Sequence, residues 1–136
     1  MIQKEYKDLY IGESVTLKQT ASDEYVKTMA EITCDRNPIH LDDEFAKGTI
    51  FGQRIAHGLF CDGVVSRLLT ELTGPGTIYM EKHIQFRAPV FIDEEIETTL
   101  TITNLVDEKH FVDLDFACAK ADGTVASKGE VRIKLP

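Results

Sequence analysis

Asp35 and His40 stand five residues apart around Pro38, in the stretch Thr33-Cys34-Asp35-Arg36-Asn37-Pro38-Ile39-His40. A carboxylate and an imidazole at a fixed separation can share one water, orient it and take its proton, which is general acid–base chemistry. Pro38 supplies the fixed separation. Its ring locks φ and drives Asn37 toward extended backbone, so a helix arriving from the N-terminal side stops near Asp35 and the two groups flank a rigid turn. Catalytic groups need positioning to a fraction of an ångström, which a braced turn at a helix end supplies and a mobile loop does not. Asn37 suits the turn because its side-chain amide bonds nearby backbone. An Asp-x4-His spacing taken alone is far more often a capped turn with a surface histidine, so the context decides its meaning.

Other candidates are spread along the chain. Ala56-His57-Gly58 precedes an apolar run, and the first N–H groups of a helix are unpaired donors at the positive end of its dipole, suited to an oxyanion; the same residues also serve simply to begin a helix. Ser66 follows Gly58 by eight residues and falls roughly on the same helix side, about 12 Å along. Asp62 is a carboxylate in that apolar run and must reach solvent, a cation such as Arg67, or a substrate tunnel. His83 and His110 read as surface residues. The spacing of His40, Asp42 and Asp43 matches no usual ligand pattern, so no metal is expected, nor any other cofactor.

The elements that must position these groups follow from pattern. Ser22 is a good N-cap, Asp23 and Glu24 suit the first turn, and Tyr25, Val26, Met29, Ala30 and Ile32 recur at helical spacing, predicting a helix that delivers the chain to Asp35. Leu41 to Lys47 predicts one or two further helical turns ending at Gly48, and Thr49 to Arg54 a loop. From His57 to Thr73, apolar residues cover most of a helical circumference, the mark of a buried helix. Gly63 in its middle costs about 1 kcal/mol against alanine, which predicts a close contact with a sheet backbone or another subunit. Gly74-Pro75-Gly76 stops the helix.

The remainder is β. Val15 and Leu17 mark a short early strand, and Ile78, Met80, Ile84 and Phe86 are expected on one strand face interrupted by Lys82. Alternation through Ile96–Ile102, Val112–Cys118 and Val125–Leu135, with a tight turn at Asp122-Gly123, predicts an antiparallel meander. A long apolar helix and a run of antiparallel strands can bury their faces only against each other, so the class is α+β with the sheet wrapped around the helix. With 136 residues and no repeats or linkers, residues 1–136 are expected to form one domain.

The net charge of −8 argues against nucleic acid or anionic lipid as a partner. Three widely spaced cysteines, Cys34, Cys61 and Cys118, suggest reduced thiols rather than a disulfide framework or zinc site. No run reaches the length of a membrane span and the start lacks a secretory core, which predicts a cytoplasmic protein.

Asp35, Asn37, Pro38, Ile39 and His40 resemble the signature of the MaoC-like, (R)-specific enoyl-CoA hydratase family, Gly-Asp-x-Asn-Pro-aliphatic-His. Arg54 to Gly58, Gly74 to Tyr79, Phe86 to Val90 and Gly129-Glu130-Val131 through Pro136 extend the likeness over nearly the whole chain. The departures are Cys34 where glycine is usual, Asp62 where a small residue is common, and Asp93-Glu94 in place of Gly-Asp. The resemblance implies a hot-dog fold, an antiparallel sheet wrapped around a central helix at about 57–73. It implies reversible syn addition of water to a trans-2-enoyl-CoA thioester, with Asp35 and His40 catalytic and the Gly58 amide binding the thioester oxygen. Asn37, His57, Ser66 and Arg87 are expected to bind substrate or support the site. Because the chain is acidic, polyanionic coenzyme A needs a local basic patch, for which Lys82, Arg87, Arg54 and Arg67 are candidates. Phe60 and Asp62 point to short or medium acyl groups. A homodimer is implied, since one such sheet leaves an edge exposed. The competing functions are a thioesterase using the Gly58 amide, a 3-hydroxyacyl-ACP dehydratase, and a non-catalytic acyl-CoA-binding subunit.

Overall fold

Ser22 accepts the Tyr25 N–H at 3.0 Å and opens α1, Asp23–Thr33, whose Val26 and Ala30 face the interior. The computed structural model describes residues 3–136. Two short helices follow, α2 at Pro38–Leu41 and α3 at Asp43–Lys47, the second capped by the Asp42 side chain and ended at Gly48. The long helix α4 spans Leu59–Thr73 with Gly58 as its N-cap, so it begins two residues later than the apolar run suggests. His57 stays outside the helix.

Five strands form one antiparallel sheet: β1 at Ser14–Thr20, β2 at Ile78–Phe86, β3 at Glu95–Val106, β4 at Phe111–Lys120 and β5 at Val125–Lys134. Their order is β1-β3-β4-β5-β2, which contains the expected β3-β4-β5 meander and leaves β1 and β2 at the edges. The inward side chains of the sheet, among them Ile96, Leu100, Ile102, Leu114, Phe116 and Ile133, pack with Phe60, Val64, Val65, Leu68, Leu69 and Leu72 of α4. Each fully buried aliphatic or aromatic side chain there contributes about 1.5–3 kcal/mol relative to exposure. This is the hot-dog arrangement.

One pattern reading fails at β2. A bulge at Met80, between the pairs Tyr79↔Ile133 and Glu81↔Arg132, inserts an extra residue and reverses the side-chain parity of the strand. Ile78 and Met80 are therefore exposed while Tyr79 is partly covered, and the expected single apolar face does not exist. Beyond the bulge, Lys82 does interrupt the face of Ile84 and Phe86, where it lies opposite the buried Val131.

Candidate active site

Asp35 is fixed by a ladder of side chains that each accept the backbone N–H two residues on: Thr33 Oγ1 from Asp35 at 3.1 Å, Asp35 Oδ1 from Asn37 at 3.2 Å, and Asn37 Oδ1 from Ile39 at 3.2 Å. Asn37 thereby caps α2, and Pro38 occupies its first turn, where a missing N–H costs nothing. Asn37 has φ −55° and ψ 123°, with ψ in the range a following proline favours, and His40 lies on the helical turn that Pro38 opens. Upstream, Cys34 ends α1 in the left-handed conformation, φ 60° and ψ 13°, which is the physical reason a glycine is usual at this position of the motif.

His40 is buried and held from two sides. Its Nδ1–H donates to the Ile55 carbonyl at 2.7 Å, which leaves Nε2 with a free lone pair. Its own carbonyl accepts from Arg54 Nε at 2.7 Å, and the same guanidinium reaches Asp23 at 2.6 Å, tying α2 to the start of α1. Burial pushes the His40 pKa below the ordinary imidazole value, with neighbouring His57 adding to that effect and the Ile55 carbonyl and Asp35 opposing it. The imidazole is therefore neutral near pH 7. His57 stacks against it, ring centroids 3.8 Å apart at 28°, and donates Nε2–H to the Asp35 carbonyl at 3.1 Å. His57 Nδ1 is buried and finds no partner among the described residues. One donor atom each from Asp35, His40 and His57 lies within 4.8 Å of the others.

Gly58 completes this corner. Its N–H meets no acceptor among the described residues, and a Cβ on it would lie 2.6 Å from Cε1 of Phe86, so the exposed Phe86 ring would have to shift to admit one. His40, His57, Gly58 and Arg87 line one cavity of about 450 Å³ with Phe86 and the buried Ser127. Five of the expected groups thus gather here, counting Asp35 at the His40 end. Asn37 serves through the turn.

Ser66 does not join them. It lines a second cleft, of about 530 Å³, with Met29, Gly63, Asp62, Tyr79 and Lys82. Asp62 is resolved by Lys82, not Arg67: the two side chains pair, and Tyr79 Oη donates to the carboxylate at 3.4 Å. Arg67 pairs with Glu71 and Arg54 with Asp23, so of the four candidate phosphate contacts only Arg87 makes no ion pair among the described residues. Phe60 is core, edge-on to Tyr25, and lines neither cavity. A Cβ on Gly63 would meet only Tyr25 Oη at 3.5 Å, so the expected sheet contact is absent. Asp42 is occupied as the α3 cap. Phe86, Ser127 and the Ile55 carbonyl were not legible beforehand; inward parity on β5 was the one available signal for Ser127, and no side-chain pattern reports a carbonyl.

A hot-dog sheet with this acid–imidazole corner at the mouth of its central helix defines a class, the dehydratase-like hot-dog proteins. The MaoC like domain family matches residues 9–116, and the chain belongs to that family. Its relatives include a 3-hydroxybutyryl-CoA dehydratase of Methylorubrum extorquens, 42% identical over 96% of this chain and 83% of that protein. An (R)-specific enoyl-CoA hydratase of Rhodospirillum rubrum is 38% identical over 96% of this chain and 91% of its own. Among solved structures, the (R)-hydratase from A. caviae involved in PHA biosynthesis superposes with a TM-score of 0.92 at 32% identity, covering 96% and 99% of the two chains.

Proposed function

We infer that the chain is an (R)-specific enoyl-CoA hydratase, a hydro-lyase that adds water reversibly to trans-2-enoyl thioesters and gives (R)-3-hydroxyacyl products. The relatives named above support the activity, and one observation carries it to these residues: a neutral, buried His40 with Nε2 free, beside the Asp35 carboxylate and close to the unpartnered Gly58 N–H. A water held between Asp35 and His40 attacks C3 of the enoyl group. Negative charge then gathers on the thioester oxygen, where the Gly58 N–H stabilises it without reorganisation. The proton taken from the water returns to C2 on the same face, giving syn addition. His57 positions the pair by stacking on His40 and bonding the Asp35 backbone, and Arg87 faces the coenzyme phosphates. Following loss of enoyl absorbance from crotonyl-CoA tests the reading: hydration to the (R) product is expected, whereas release of free coenzyme A thiol without hydration would identify a thioesterase instead.

The acting unit is a symmetric homodimer. Edge strand β2 presents Ile78, Met80 and Phe86, each at least 44% exposed, beside an α4 surface opened by Gly63 and Leu59, and an uncovered strand edge of this kind invites pairing with a second copy. Sedimentation as a monomer at micromolar concentration would refute this. No helix among the described residues is long and apolar enough to cross a membrane.

A further inference from the structure

Nothing in the spacing of Cys61 and Cys118 pairs them, yet the fold brings their thiols together. Cys118 faces inward on β4, opposite Thr98 on β3 and Ser127 on β5, so three small polar side chains form one buried row across the inner face of the sheet. Thr98 Oγ1 donates to Cys118 Sγ at 3.3 Å. Cys61, in the first turn of α4, lies over that row, and its thiol is in hydrogen-bond contact with that of Cys118. Cys61 and Ser127 also line the cavity of about 450 Å³ that holds His40, His57 and Gly58, so a small solute that enters the active site meets Cys61. The Cys61 thiol, with the Ser127 and Thr98 hydroxyls adding to it, holds the Cys118 pKa below the ordinary thiol value against the effect of burial. The hydratase chemistry uses neither sulfur.

We propose that Cys61 and Cys118 form a modification site, a dithiol that hydrogen peroxide closes to a disulfide, and that the bridge slows hydration by displacing the Gly58 amide. The Cys61 sulfur attacks one peroxide oxygen, the O–O bond breaks, and a water leaves with the Cys61 proton, giving a sulfenic acid. The Cys118 sulfur then attacks the Cys61 sulfur, the S–O bond breaks, and a second water leaves with the Cys118 proton. Two electrons have passed from the sulfurs to the peroxide. A thiolate is the nucleophile in such a step, which suits Cys118 to the second attack. A disulfide holds its sulfurs about 2.05 Å apart, closer than any thiol contact, so closing it draws the first turn of α4 toward β4. Gly58 caps that turn and moves with it. The slowing rests on the hydratase reading; the bridge itself does not.

The test treats the reduced chain with hydrogen peroxide in a Cys34→Ser background, which removes the exposed thiol. Trypsin mapping reads the bridge directly, as residues 55–67 linked to residues 110–120 with the loss of two hydrogens. Both free thiols are expected to disappear and dithiothreitol to restore them. Hydration of crotonyl-CoA should fall at least about tenfold on oxidation, within what a displacement of about 1 Å produces, and return on reduction. Cys118→Ala, which changes a side chain outside the cavity wall, should keep its own rate through the same treatment. Should that variant fail to fold, the mapped link and its reversal in the Cys34→Ser chain still decide. Persisting free thiols, sulfinic acid at Cys61 with no link to Cys118, a linked protein that hydrates at the reduced rate, or an equal loss in Cys118→Ala each overturns the proposal. A link that forms and reverses in a chain showing no hydration when reduced would instead overturn the hydratase reading and leave the bridge standing.

Discussion

Two carboxylates mark opposite fates along α4. Near its N-terminus, Asp35, His40 and Gly58 are held almost entirely by backbone, through Asn37 N–H, the Ile55 carbonyl and the helix start, so no other side chain among the described residues pairs with the Asp35 carboxylate or His40 Nε2. A turn further on, Asp62 meets Lys82 and Tyr79, and its charge is spent on its neighbours. Chemistry needs the first arrangement. A group satisfied by another side chain is quenched, whereas one oriented by main chain keeps its lone pair for the substrate.

The sharpest way to break that contrast is to remove each carboxylate in turn. Asp35→Asn and His40→Ala are each expected to lower kcat by at least about 10²-fold, and the double variant by little more, because both act on one water. Asp62→Asn should leave kcat at the wild-type value and shift stability by no more than about 1 kcal/mol, since Lys82 is 43% exposed and solvent screens the pair. Steady-state kinetics with crotonyl-CoA and urea melts decide both; a loss of turnover at Asp62 like that at Asp35 would erase the distinction.

Gly58 sharpens it next. Alanine there keeps the N–H but drives its Cβ into Phe86, and a displacement of about 1 Å at such a site costs up to about 10²-fold in kcat/KM. Phe86→Ala added to Gly58→Ala should recover much of the loss if the clash, and not the helix start, is responsible.

A smaller effect is expected in the pH profile. His40 has its pKa pushed below the ordinary 6.5 by burial, so it remains an unprotonated base as pH falls through 6.5. The acid limb of kcat/KM attributable to it should therefore lie below pH 6.5, and protonation below that point should also weaken the fold, because the folded state binds the proton less well than the unfolded chain. An acid limb above 6.5 would contradict the buried, carbonyl-anchored geometry.

The least effect belongs to Cys34. Its left-handed backbone costs a non-glycine residue more than glycine loses in chain entropy, so Cys34→Gly should stabilise the protein by about 0.5–1 kcal/mol in thermal or urea unfolding with activity intact. Asp93, also left-handed at φ 68°, should gain less from glycine because aspartate tolerates that region better.

Sequence alone determined the α+β class, the central helix, the β3-β4-β5 meander and the braced turn carrying Asp35 and His40, because caps, periodicity and proline act over a few residues and leave their mark in order. Gly58 came out through the family resemblance, because its place at a helix start alone reads first as no more than the start of a helix. Tertiary structure decided the rest. The bulge at Met80 reversed the parity of β2 through its pairing with β5, which no pattern within β2 encodes. His57 reached Asp35 from 22 positions away in sequence, Lys82 reached Asp62 from 20, and Phe86 closed over Gly58 by sheet register. The carbonyl of Ile55 that sets the His40 tautomer belongs to every residue type alike, so only the folded chain could say which one would point at the imidazole.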